Sequence, residues 1–202
     1  LFFDTNLKKS IKDSDAIFIA VGTPYNGDDI DLTFIEESVK QIGLALKDKL
    51  SYHTVVVKST VIPKTTSEIV KPLIEKYSQK SVGADIGLVM NPEFLREGQA
   101  IHDNLYPTRI VIGGGEAISK TYVESINQIC LKKDCKVYFM SSTEAESVKL
   151  FSNTFLAMRI SFFNELDSFA ASNNLNAESI ISAVSSDDRI GHYYNNPSFG
   201  YG

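Results

Sequence analysis

The chain has 202 residues, with 20 Lys and Arg against 25 Asp and Glu and a formal net charge of -5. Its 43% apolar content is enough for the core of one large domain or two small ones. No Lys/Arg-rich cluster supplies the concentrated positive charge that a phosphate backbone requires, so no nucleic-acid partner is expected. No apolar run reaches spanning length, and no basic segment followed by an apolar block stands at the N-terminus. Neither a membrane span nor a signal peptide is therefore expected, and the cytoplasm is the expected location. Cys130 and Cys135, separated by LKKD, match neither a redox CxxC nor a zinc-ligand set, and His53, His102 and His192 are scattered. No metal site is expected, and both cysteines read as structural.

In chain order, the first residues read as a short helix, followed by a turn at Asp13 to Asp15 and an apolar strand from Ala16 to Val21. A helix from Asp31 to Leu50, a strand from Thr54 to Lys58 and a helix from Thr65 to Tyr77 follow. Gly87 to Met90 and Arg109 to Ile112 read as strands, Ala117 to Leu131 as a helix, and Lys136 to Met140 as a strand. Continuous apolar strands alternating with helices predict a Rossmann-like, doubly wound, mostly parallel sheet covered on both faces. Ligands of such sheets sit at the carboxyl ends of the strands.

Three strand ends carry polar groups at that edge: VGTPY (21–25), Ser59 with Thr60, and NPEFLREG (91–98). Asn91 and Pro92 suit the N-cap and first position of a short helix, which would set Glu93 and Glu97 one turn apart on one face. Paired carboxylates there can serve as a base and a hydrogen-bond acceptor, although acids in a first turn also simply suit the helix dipole. Gly113 to Gly115 follow a strand but form no GxGxxG fingerprint.

Thr143 to Asn173 is the longest uninterrupted helical pattern, with Thr143 and Glu146 reading as a capping box. One face carries Val148, Phe151, Phe155, Met158, Phe162, Leu166 and Phe169, a second Leu156, Ile160 and Phe163, and both need cover. The expected cover for one of them is a second copy of the chain in a two-fold dimer. Lys149 and Asn153 share the second face; either Lys149 reaches outward and pairs with an acid, or the two point into a pocket and donate hydrogen bonds to negative charge developing on a substrate oxygen. After a further helix from Asn176 to Ser185, the tail DDRIGHYYNNPSFGYG reads as a loose end or as a loop for anions and hydroxyls.

KST, NPEFLREGQAIHDNLYPTRIVIG, TEAESVKLFSNTFLAMRISFFNEL and DDRIGHYYNNPSFGYG, in this order and spacing, resemble the UDP-glucose/GDP-mannose dehydrogenase family over nearly the whole chain. The resemblance implies NAD as cofactor and oxidation of the 6-hydroxyl of a nucleotide sugar, UDP-glucose first, to a carboxylate. The family does this in two hydride transfers, through a thiohemiacetal and thioester on a cysteine. It further implies catalytic roles for four residues: Thr60 holding water, Glu93 as general base, and Lys149 with Asn153 stabilising the oxyanion. Thr23, Tyr25, Thr60 and Glu97 would contact NAD. The substrate would lie on Glu93, Phe94, Leu95, Arg96, Glu97, Lys149 and Asn153. Tyr194, Asn195, Asn196, Pro197, Ser198 and Gly202 would also hold it, and Arg189 would reach it from a neighbouring subunit.

The family's GxGYVG strand and its nucleophilic cysteine have no counterpart among these residues. The chain is therefore expected to be an internal piece, inactive alone, with a truncated NAD-binding domain over 1–140 and the start of a helical dimerisation and substrate domain over 141–202. A GDP-mannose or UDP-N-acetylamino-sugar dehydrogenase, or a non-catalytic dimerisation module, are the alternatives.

Overall fold

The computed structural model describes residues 4–27, 29–115, 117, 121–122, 125 and 129–200. It divides into two compact units, Leu1–Leu150 and Phe151–Gly202.

The first unit is built on five strands in the order β1 (Ala16–Ile19), β2 (His53–Val57), β3 (Ile86–Met90), β4 (Ile110–Gly113) and β5 (Val137–Met140). β1, β2 and β3 are mutually parallel, as are β4 and β5. β3 and β4 meet antiparallel at a single register pair, Met90 and Gly113, so the sheet is mostly parallel, as expected. α1 (Leu7–Lys12), α2 (Thr33–Leu46), α3 (Lys71–Ser78) and α4 (Ala100–Leu105) fill the connections. A π-helical stretch, Thr65–Val70, runs directly into α3.

The apolar run of β2 serves both faces of the sheet because successive strand side chains point to opposite sides. Val55 and Val57 join a core with Ile35, Val39, Ile42, Val70 and Ile74, whereas Val56 joins Val89, Ile110, Ile112, Tyr122 and Cys130 on the other face. Of the helix expected over Ala117 to Leu131, Ala117, Thr121, Tyr122, Ser125 and Ile129 are helical, Cys130 and Leu131 are not, and the other residues of that span lie outside the described residues.

The long helix is α5 (Ser142–Ser172). Its reciprocal cap is shifted from the expected pair: Ser141 N–H donates to Glu144 Oε2 at 2.7 Å, and Glu144 N–H donates to Ser141 Oγ at 3.3 Å. Glu146 cannot act as the capping acid because its carboxylate is engaged by the amides of Lys64 and Thr66. The start of α5 packs closely on the end of β4, where a side chain on Gly113 would lie 2.7 Å from Ser142 Cα and 2.8 Å from Ala145 Cβ.

In the second unit α5 continues and is followed by α6 (Ala177–Ser185), capped by Asn176, whose side chain accepts from Ser179 N–H at 2.8 Å. The two apolar faces of α5 differ sharply. Ile160 and Phe163 are buried, while Phe151, Phe155, Met158, Phe162 and Phe169 are 52–69% exposed.

Candidate active site

In the first unit the carboxyl ends of β1, β2 and β3 open on one edge, and their loops are stitched together by hydrogen bonds. Ser59 Oγ donates to Val21 O at 2.7 Å, Thr23 Oγ1 to Thr60 O at 2.7 Å, and Asn91 N–H to Val57 O at 2.9 Å. Thr23 and Thr60 are thus neighbours. Tyr25 is 70% exposed, and its hydroxyl donates to Gly27 O.

The loop after β3 does not form the expected helix at Pro92; regular helix begins only at Ala100. Asn91 is buried and fully committed: its Oδ1 accepts from Lys58 Nζ at 2.8 Å and Tyr122 OH at 3.0 Å, and its Nδ2 donates to Val111 O at 2.8 Å. An amide oxygen spent in this way cannot cap a helix. Glu93 and Glu97 therefore do not form a pair on one helix face. Glu97 lies exposed in the turn before α4, and Arg96 forks onto Asp103 with contacts of 3.0 and 2.6 Å, holding that carboxyl well below the usual range.

Glu93 instead pairs with Lys149. Lys149 Nζ donates to Glu93 Oε1 at 2.8 Å, and Leu95 N–H donates to Glu93 Oε2 at 2.7 Å. The lysine side chain is 8% exposed and the glutamate 31%. Burial pulls the Glu93 carboxyl upward. The Lys149 and Leu95 hydrogen bonds, with the charges of Lys149 and Lys58, outweigh that effect and leave the carboxyl below its ordinary value. Burial lowers the Lys58 ammonium, against the charge of Glu93. The ring centroid of Phe94 is 3.9 Å from the Arg109 guanidinium and 5.5 Å from Lys149 Nζ. The result is an ionised carboxylate and a desolvated ammonium beside a strand edge, a suitable arrangement for moving a proton at one atom and stabilising negative charge at another.

Several contributors escaped the sequence reading. Lys58 ends an otherwise apolar strand, and Glu146 lies three residues before Lys149 on one side of a helix, a spacing that periodicity can flag. Arg109 gave no local signal. Cys130 is buried, and burial pushes the Cys135 thiol up, opposite to the shift of an activated nucleophile.

In the second unit the tail is folded back onto α5. Arg159 donates to Ile190 O and Gly191 O at 2.8 and 3.2 Å. Asn164 and the backbone of Ser198 exchange two bonds of 2.8 and 2.9 Å, and Asn195 Nδ2 donates to Ser185 Oγ at 2.9 Å. Tyr194 holds a φ of 55°, and Arg189 forks onto Asp187 with contacts of 3.0 and 2.6 Å. A cleft of about 580 Å³ is lined by residues including Asp167, Glu178, His192, Asn195, Asn196 and Pro197. Asn153 is half-buried on α5, one turn past Lys149. Gly202 lies outside the described residues.

A dinucleotide fits the edge of the first unit in one respect. The parallel strand ends there offer half-buried hydroxyls at Thr60 and Thr23 and an exposed ring at Tyr25, groups that suit ribose hydroxyls and ring faces, whereas the Ser59 hydroxyl is buried and committed to Ile19 O and Val21 O.

Comparison with known proteins matches residues 1–130 to the NAD binding domain of the UDP-glucose/GDP-mannose dehydrogenase family and residues 143–202 to its central domain. The UDP-glucose 6-dehydrogenase of Campylobacter jejuni is 44% identical over 199 residues, covering 98% of this chain and 47% of the relative. The GDP-mannose 6-dehydrogenase of Pseudomonas aeruginosa is 37% identical over 202 residues, covering 98% and 45%. The solved UDP-glucose dehydrogenase of Pyrobaculum islandicum superposes with a TM-score of 0.88 at 36% identity, covering 98% of this chain and 45% of that one. The solved GDP-mannose dehydrogenase of Pseudomonas aeruginosa gives 0.86 at 36%, covering 97% and 45%. The chain spans about half the length of the curated relatives it matches.

Proposed function

Because this chain belongs to the UDP-glucose/GDP-mannose dehydrogenase family, we propose that it forms part of a cytoplasmic enzyme that oxidises the 6-hydroxyl of UDP-glucose with NAD. The observation that carries the reading is the desolvated Glu93–Lys149 pair beside the parallel strand ends. UDP-glucose is placed before GDP-mannose on the higher identity of the relative named for it, 44% against 37%. Residues 1–140 are read as the NAD-binding part, and 141–202 as the start of the substrate and dimerisation domain.

Bound at this edge, NAD would supply a hydride acceptor, and Thr23, Tyr25, Thr60 and Glu97 would hold it. Thr60 positions a water for the hydrolytic step, and Glu93 takes its proton. Lys149, with Asn153 one turn on, donates to the developing oxyanion. The Glu93–Lys149 pair gives this assignment a sequence of events. With no substrate charge present, the ammonium satisfies the carboxylate and keeps it weakly basic. An oxyanion that draws Lys149 toward itself releases Glu93, whose basicity then rises. Glu93 to Glu97, Arg189 and the 194–198 and Gly202 segment are proposed to bind the nucleotide sugar. The exposed Phe151–Phe169 stripe supports a homodimer through α5.

The test compares kcat/KM for UDP-glucose, GDP-mannose and UDP-N-acetylmannosamine, followed by NADH formation, in the full-length protein that carries this chain. UDP-glucose is expected to lead. A clear preference for GDP-mannose would transfer the assignment to that sugar, and inactivity with all three would remove it.

A further inference from the structure

Among the described residues Glu146 is the one carboxylate wholly withdrawn from solvent. Its Oε2 accepts from Lys64 N–H at 2.6 Å and its Oε1 from Thr66 N–H at 2.7 Å. Burial pushes this carboxyl above its ordinary value, so the arrangement carries a desolvation cost that those amides offset. The two amides open the helical stretch after β2, which has no side-chain cap of its own; its N-cap position is Lys64, whose side chain has no acceptor. A neighbouring helix therefore supplies the cap.

The placement ties two parts of the site together. Thr60 and Lys64 lie four residues apart, with Val61 buried and Pro63 limiting the backbone between them. Thr23 holds the loop at Thr60, and Glu146 holds it at Lys64 and Thr66. Glu146 and Lys149 are three residues apart on α5, and Lys149 grips Glu93 in the loop after β3. A single turn of α5 thus anchors the loops that follow both β2 and β3.

We propose that Glu146 is a positioning residue that, through the Lys64 and Thr66 amides, holds the Thr60 loop against the helix turn bearing Lys149. The role rests on the proposed function, since it fixes the separation between the water-holding hydroxyl and the oxyanion-binding cation. A carboxylate accepts from both amides at once. Gln offers one acceptor and turns an NH2 toward the second N–H, so the isosteric Glu146→Gln releases one strand of the tie.

The experiment uses the full-length protein that carries this chain. Glu146→Gln is expected to speed hydrogen exchange at the Lys64 and Thr66 amides at least tenfold while Val55 to Val57 stay protected. It is also expected to lower kcat about 10- to 100-fold, as a misplacement on the order of 1 Å does, with KM for nucleotide sugar and NAD within about twofold. In a Thr60→Ala background the same change is expected to cost little more, because its effect passes through Thr60. If Glu146→Gln fails to fold, Glu146→Asp, which keeps the charge but draws the carboxylate back, is expected to give the same pattern. Unchanged exchange, unchanged kcat, or full additivity with Thr60→Ala would each overturn the role. A wild type inactive on every nucleotide sugar sinks the functional reading and the role with it, a failure recognisable because the exchange at Lys64 and Thr66 still responds.

Discussion

In the first unit Glu93 and Lys149 pair at 2.8 Å with the lysine side chain 8% exposed, whereas in the second Arg189 and Asp187 pair at 2.6 Å with 88% of the arginine side chain in solvent. The contact distances are similar and the physics is not. A pair taken out of water holds its partners in place and makes the loss of either costly, because the remaining charge stays buried and uncompensated. A pair in solvent is screened and contributes little to stability. The tail region is the richer of the two in polar residues, and its backbone is held by α5: Asn164 exchanges two bonds with Ser198 and Arg159 donates to the carbonyls of Ile190 and Gly191, while Asn195 donates to Ser185. The two regions thus differ in how their charges are held: one pair is fixed out of water, the other stays in it.

The contrast breaks most visibly at Lys149. In the full-length protein, Lys149→Ala is expected to lower kcat by a factor on the order of 10² to 10³ with a smaller change in substrate binding, the loss typical of one oxyanion donor. Arg189→Ala, by contrast, is expected to leave the melting temperature where it was and to act on KM. Steady-state kinetics and calorimetry on the two variants decide whether burial separates them. Equal kcat values for Lys149→Ala and wild type would return the lysine to a structural role.

The two faces of α5 repeat the contrast in apolar terms. Phe163 is 1% exposed, and Phe163→Ala is expected to destabilise the second unit by about 3–5 kcal/mol in denaturant unfolding. Phe155 is 52% exposed, and Phe155→Ser is expected to leave subunit stability within about 0.5 kcal/mol while weakening self-association in sedimentation. Sedimentation unchanged by Phe155→Ser would remove the support this stripe gives to a dimer.

A smaller effect sharpens the same point at His53, on the opposite edge of the sheet from the site. Its Nδ1 lies 3.1 Å from Ser14 O and its Nε2 is buried without a partner. Burial and then the Lys49 charge lower its pKa from 6.5 to about 4. Because the folded value is depressed, the unfolded chain binds the proton first. Stability is full above pH 6.5 and falls as pH drops toward 4, by an amount on the order of 3 kcal/mol. Unfolding at pH 7 and pH 4.5 should show that slope in the wild type and a flatter one in His53→Gln.

What could be read from the sequence was whatever rests on local periodicity. The apolar runs gave the strands, the absence of Gly and Pro gave the length of α5, and the strand ends located the edge where Thr60, Glu93 and their neighbours gather. What could not be read depends on partners far along the chain. Asn91 followed by Pro92 is a sound helix start by local rules, but Lys58, Tyr122 and Val111 claim the asparagine first. Thr143 with Glu146 fits a capping box as well as Ser141 with Glu144, and only the buried amides of Lys64 and Thr66 decide between them. The pairing of Glu93 with Lys149, 56 residues apart, is of the same kind.

The most direct measurement is made on Glu93→Gln in the full-length protein, by intact-mass analysis after incubation with NAD and UDP-glucose. A general base for water is needed only when the acyl intermediate is hydrolysed. Hydride transfer is expected to continue while turnover stops and an acyl adduct of the sugar nucleotide accumulates on the protein. Loss of turnover with no adduct would place Glu93 in an earlier step and contradict its assignment as the base that releases the product.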